Sequence, residues 1–287
     1  MPEIQANGIT LYYEQHGEGA PVLCIHGTSS SALVWKDAVT ELAGRGRLIV
    51  YDRRGCFRSE RPQPYVTTAV GDHADDAAAL LEVLSAAPAV VIGRSYGGEI
   101  ALDLARRYPA RVTALALLEP AMLSLDPDAI LWSRRLTEKV LDAGARDSSS
   151  VAEVFLREVA GDEAWESFPT ELKQMFIGNG PAILAELRGG PLDLTVRELA
   201  GIAHPTLIVS AKESPEAFRR VDETLAEALP NCETVLVEGG HLISPANPAV
   251  LEFVDRIVTA TPTPELRRAR ARAASRSHRD PGGDAHL

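Results

Sequence analysis

The sequence predicts an α/β fold, a mainly parallel sheet flanked by helices (the pattern of strand and helix alternating along a chain), with a helical cap inserted after the sixth core strand. Three observations carry that expectation. Short apolar runs rich in β-branched residues recur at 21–27, 48–52, 89–93, 112–118, 205–210 and 233–237, each separated from the next by a helical pattern. Most of these runs are apolar throughout rather than alternating, as strands covered on both faces must be. Residues 122–202 contain no strand-like run and are rich in helix formers.

The elements follow in order. Residues 9–14 alternate as a half-buried strand does, after a short partner at 3–6, and Asn7-Gly8 between them suits a hairpin turn. Helices are expected near 33–42, over 70–86, directly after Ser95, over 215–228 and over 248–258. Within 122–202, helical periodicity marks 130–141, 151–159, 172–177 and 183–187. The division that follows is a core of residues 1–121 and 203–262, a cap of residues 122–202 lying over the C-terminal edge of the sheet, and a tail of residues 263–287. Trp132, Trp165, Met175 and Phe176 read as packing residues of the cap rather than as specific ligand contacts.

Composition narrows the classes. Of 287 residues, 45% are hydrophobic and 24% charged, which fits a globular protein. A net charge of −11 argues against nucleic acid as a partner, since phosphate attraction needs a basic face. No apolar stretch approaches the roughly 18 residues of a membrane helix, and Met1-Pro2-Glu3-Ile4-Gln5 lacks the basic-then-apolar pattern of a signal peptide. A cytoplasmic address and no membrane partner are therefore expected. Cys24, Cys56 and Cys232 are too scattered for a disulfide framework or a metal site. The tail carries Arg267, Arg268, Arg270, Arg272, Arg276 and Arg279 against few acids, and its composition predicts a solvated, disordered segment.

The chemistry is concentrated at Gly93-Arg94-Ser95-Tyr96-Gly97, which closes a strand and opens a helix. A serine on such a sharp turn is held out at the sheet edge, and Gly93 and Gly97 remove the Cβ atoms that would collide as the chain doubles back. Ser95 is thus the candidate nucleophile. A hydroxyl needs a base, and the base needs a third group to fix its tautomer. His241, in a loop after the strand at 233–237 and before the last helix, reaches the same edge from a distant part of the chain. An imidazole, with an ordinary pKa of roughly 6.5, is neutral enough at pH 7 to accept the proton. For the acid, Glu213 follows the strand ending at Ser210 and satisfies the chain order Ser, acid, His; Glu119, ending the strand after the nucleophile helix, is the alternative. Negative charge developing on the substrate oxygen calls for two backbone N–H groups, assigned to Thr28 and Tyr96, while His26 braces the Gly27-Thr28-Ser29 loop. Arg94 reads either as an inward packing residue or as a ligand for a substrate carboxylate.

With His26-Gly27-Thr28, Asp52-Arg53-Arg54-Gly55, the Ser95 pentapeptide and Gly240-His241 in hand, the chain resembles the α/β-hydrolase superfamily from Ile9 to about Val258. The resemblance implies a capped serine hydrolase of the esterase, lactonase, carbon–carbon hydrolase or cofactor-free haloperoxidase type. Two departures stand out. Relatives commonly carry aspartate where Glu213 stands, and Phe57 replaces the second glycine of their Asp-x-Arg-Gly-x-Gly-x-Ser loop. Hydrolysis of a small-molecule carboxylic ester or lactone through an acyl-enzyme is the leading expectation, with no cofactor. Carbon–carbon bond hydrolysis or perhydrolysis on the same triad, or a receptor-like ligand-binding protein with little turnover, are the alternatives.

Overall fold

In the computed structural model, which describes residues 2–260, eight strands form one sheet. They are β1 (Glu3–Ala6), β2 (Ile9–His16), β3 (Pro21–Ile25), β4 (Arg47–Tyr51), β5 (Ala89–Arg94), β6 (Val112–Leu118), β7 (Thr206–Ala211) and β8 (Cys232–Val237), in the spatial order β1-β2-β4-β3-β5-β6-β7-β8. Ala6 pairs with Ile9, so β1 and β2 are joined by Asn7 and Gly8 alone, both at positive φ (50° and 76°), the geometry such a turn requires. β2 is antiparallel to β4; every pair from β4 to β8 is parallel. The alternation of side chains then explains the uninterrupted apolar runs. On β3, Leu23 and Ile25 join one core with Leu80 and Ile100, while Val22 and Cys24 join the other with Val250 and Phe253. Each such side chain, taken out of water, contributes roughly 1.5–3 kcal/mol.

Helices cover both faces. The expected helix near 33–42 is instead a 3-10 turn, Ala32–Ala38, followed by the short α1 (Val39–Ala43). Its start is drawn tight because the Ala32 amide donates to Asp52 (2.7 Å) and the Ser31 hydroxyl caps Leu33. α2 (Val70–Val83) ends earlier than the sequence pattern, where Leu84 caps it and Ser85 turns to φ 49°. α3 (Tyr96–Arg107) follows Ser95 directly.

Between β6 and β7 the described chain is helical: α4 (Pro127–Arg146), α5 (Val151–Ala160), α6 (Asp162–Ser167), α7 (Thr170–Gly178), α8 (Gly180–Gly189) and α9 (Val196–Leu199). Asp126 caps α4 by accepting from the amides of Asp128 and Ala129, with Pro127 in the first turn. This segment has an apolar cluster of its own, including Leu136, Val140, Phe155, Trp165, Met175 and Phe176. Trp132 packs toward the main core, edge to face with Phe218 at 5.6 Å. α10 (Glu216–Ala228) and α11 (Pro248–Ala260) complete the description, and the basic tail at 263–287 lies outside the described residues. No helix among the described residues is long and apolar enough to cross a membrane.

One contact fixes the height of α3 above the sheet. A Cβ on Gly97 would stand 2.1 Å from the Ile25 carbonyl oxygen and 2.8 Å from that of His26, both backbone. Gly97→Ala is therefore expected to destabilise the fold by about 1–3 kcal/mol. Gly178→Ala, with nothing within 4 Å of its Cβ, serves as the control. Equal melting temperatures for the two variants would contradict this account of the turn.

Candidate active site

Ser95 sits where β5 meets α3, with φ 56° and ψ −123°. A non-glycine residue in that region costs about 1–3 kcal/mol and persists only where its surroundings hold it. Here they do: the Ser95 amide donates to the Leu118 carbonyl (3.0 Å), and the Ser95 carbonyl accepts from Gly98 (2.8 Å) and Ala121 (3.1 Å). The half-buried side chain lines a cavity of about 250 Å³ that His241 lines as well. Both side chains face this cavity, with no direct hydrogen bond between them among the described residues.

The acid beside His241 is Glu119, and the expectation of Glu213 is corrected. His241 Nδ1 lies 2.7 Å from Glu119 Oε2, and both side chains are buried. Glu119 also accepts from the Ala211 amide (2.8 Å) and the Ser214 hydroxyl (2.7 Å), so each of its oxygens has a donor. With Nδ1 donating to a carboxylate, the neutral imidazole keeps its lone pair on Nε2. Phe218 stacks on the ring at 4.0 Å between centroids and fixes its plane. Glu213 lies just past β7; its amide is tied to Gly239 (2.9 Å), and its side chain is exposed and faces no imidazole. Glu119 reaches inward because its own backbone is left-handed, φ 45°, which swings the side chain toward the end of β7. Behind it, Asp222 accepts from the Ser210 hydroxyl; burial, opposed by that hydrogen bond and reinforced by the Glu119 charge, pushes its carboxyl well above the usual range.

The loop after β3 is built to present an amide. The Thr28 N–H makes no hydrogen bond among the described residues, and the Tyr96 N–H belongs to the first turn of α3, where amides lack intrahelical partners. His26 does brace this loop: its Nε2 accepts from the Arg53 amide (3.0 Å), which leaves Nδ1 to donate to the Gly27 carbonyl (2.9 Å). Burial and the Arg53 charge hold the His26 imidazole well below its ordinary pKa, and His73 likewise. Arg53, fully buried, donates to the carbonyls of His26 and Gly27 (2.9 Å each). Its counter-charge is Glu186 of α8, 2.8 Å away at Oε1 and held by charge rather than by good hydrogen-bond alignment. Burial is the largest influence and disfavours the guanidinium's charge, but Glu186 and the other groups around it together more than offset this and raise the pKa. The other Glu186 oxygen accepts from the Thr28 hydroxyl at 2.6 Å. One helical side chain from the insertion therefore positions both the arginine and the threonine of the loop.

Sequence reasoning missed Glu186, Ser214 and Phe218, because each matters through a partner far away in the chain. The loop after β4 is tied down by ion pairs: Asp52 pairs with Arg58 (2.7 Å) and Arg54 with Asp76 (2.6 Å). Phe57, in place of glycine, still takes φ 43°, with its amide donating to the Asn179 side chain (2.8 Å). Phe155, Leu156, Val159, Phe168, Leu172 and Phe176 form the apolar wall of the cavity, so Phe176 both packs and faces the site. Among the described residues, no group of three or more His, Cys, Asp or Glu is placed to hold a metal.

The chain has known relatives. The family model described as the alpha/beta hydrolase family matches residues 22–254. An uncharacterized hydrolase, YraK, of Bacillus subtilis is 34% identical over 122 residues, a match that spans 42% of this chain and 45% of that protein. The putative carbamate hydrolase RutD of Azorhizobium caulinodans is 25% identical over 87% of this chain and 95% of its own. Among solved structures, a thermophilic esterase from Thermogutta terrifontis superposes with a TM-score of 0.69 at 25% identity, covering 90% of this chain and 95% of the esterase.

Proposed function

Since this chain belongs to the alpha/beta hydrolase family, we propose that it is a serine hydrolase cleaving a small-molecule carboxylic ester or lactone through an acyl-enzyme. The observation that carries this reading is a strained Ser95 (φ 56°) sharing a cavity with an imidazole whose Nδ1 is bound to a buried carboxylate at 2.7 Å. In the proposed cycle the Ser95 oxygen attacks the substrate carbonyl carbon while His241 Nε2 takes its proton. Charge on the carbonyl oxygen is met by the Thr28 and Tyr96 amides, helped by the positive end of α3. Collapse expels the alcohol oxygen, which receives the proton from His241. Water, deprotonated by the same imidazole, then attacks the acyl carbon and returns Ser95. Glu119 keeps its charge throughout, holding the tautomer and offsetting the imidazolium. The predominantly apolar wall, led by Phe155, Leu156, Val159, Phe168 and Leu172, suits a compact, largely apolar substrate.

A fluorophosphonate probe tests this reading. Stoichiometric labelling of the wild type that disappears in Ser95→Ala, together with steady release of 4-nitrophenol from short 4-nitrophenyl esters, is the expected result. Labelling without release of any ester would instead identify a ligand-binding protein with little turnover.

A further inference from the structure

Arg94 is the one residue of the Ser95 turn whose chemistry the proposed cycle leaves unused. Its side chain is 8% exposed and lines the same cavity as Ser95 and His241. The guanidinium has five N–H donors. One is taken, at 3.3 Å, by the Ile243 carbonyl in the His241 loop. One face lies over the Trp35 ring, 4.7 Å from its centroid. No carboxylate of the described residues forms an ion pair with it, although the chain carries a net charge of −11 and the other buried arginine, Arg53, has Glu186 as its partner. Asp37, also in the cavity lining, is exposed and makes no ion pair with it.

We propose that Arg94 is an anion subsite that selects substrates carrying a free carboxylate close to the scissile carbonyl, such as half-esters of short dicarboxylic acids. A planar guanidinium matches a carboxylate with two parallel hydrogen bonds, and Arg94 is among the residues lining the cavity that must hold the substrate. Burial pulls the Arg94 pKa down, to about 10, which leaves it a cation at neutral pH. An uncompensated buried cation is costly, and a substrate anion would relieve that cost on binding. The apolar wall opposite, with Phe155, Leu156 and Val159, would take the rest of the molecule. Asp37 at the rim would discriminate against a second negative charge at that end. This inference rests on the hydrolase reading above and deepens it.

The test compares the mono-4-nitrophenyl esters of succinic and glutaric acid with their methyl-capped counterparts. In the wild type, kcat/KM is expected to favour the free acids by about tenfold or more, the worth of one charge-assisted hydrogen bond. Arg94→Gln should reduce that ratio by about 10- to 100-fold, mainly through KM, and Arg94→Lys should restore part of it. A merely structural role through Ile243 and Trp35 would lower both esters together and leave the ratio unchanged, which would overturn the proposal. Should Arg94→Gln fail to fold, the wild-type preference and Arg94→Lys still decide, because a wild type that prefers the capped esters excludes the subsite. Turnover of capped esters without any charge preference removes the anion site alone. Neither turnover nor Ser95 labelling removes the hydrolase reading and this site with it.

Discussion

Glu119→Gln is expected to lower kcat by about 10³- to 10⁴-fold while Glu213→Gln changes it less than about twofold, the scale on which replacing a triad carboxylate by its amide acts. The reason lies in the donors around Glu119. One oxygen accepts from the Ala211 amide and the other from Ser214 and His241 Nδ1, so all three neighbours present hydrogens. A glutamine has one acceptor oxygen. If its NH₂ takes the side of Ala211, two donors collide; if it takes the side of His241, the imidazole is driven to the other tautomer and Nε2 no longer carries the lone pair. Either outcome also removes the negative charge that offsets the imidazolium. Steady-state kinetics on a neutral 4-nitrophenyl ester measure the effect, and a large loss in Glu213→Gln alone would return the role to that residue.

The second large effect concerns stability. Glu186→Leu leaves the fully buried Arg53 without its counter-charge, and breaking one side of a buried ion pair typically costs about 3–5 kcal/mol. For a chain of this size that corresponds to a fall in Tm of roughly 6–15 °C. The Thr28 hydroxyl loses its acceptor in the same variant, so the loop that presents the Thr28 amide should loosen and kcat should fall along with Tm. Glu186→Gln, which can still accept from Thr28, should be damaged less than Glu186→Leu in kcat while remaining destabilised through Arg53. Thermal denaturation followed by circular dichroism gives the answer; a Tm within a degree or so of wild type would mean that Arg53 is satisfied by the His26 and Gly27 carbonyls alone.

Much of this molecule was legible in one dimension because the signals were local. Uninterrupted apolar runs at β3 to β7 report burial on both faces, and that depends only on consecutive residues. The Ser95 turn was legible for the same reason, since strand, glycine, serine, glycine and helix are contiguous. So was the bracing role of His26, which is fixed by the loop it belongs to. Where the local pattern misled, a tertiary tie had intervened: the helix expected near 33–42 is wound tighter by the Ala32 bond to Asp52, and Phe57 accepts a glycine conformation because Asn179 holds its amide.

The residues alone determined the sheet, the helices between its sixth and seventh strands, the sharp turn at Ser95 and the loop position of His241 at the same sheet edge. Only the folded chain decided which acid faces that histidine. Glu119 and Glu213 both end strands and both satisfy the order along the chain, so nothing in their neighbours separates them. The choice is made by one left-handed backbone angle at 119, by two donors at 211 and 214, and by a loop tie that leaves Glu213 in water. The same holds for the Arg53–Glu186–Thr28 link, whose members lie far apart in sequence and meet only when the helical segment settles over the sheet edge. Charge pairing acts through space, and a sequence orders residues only along the chain.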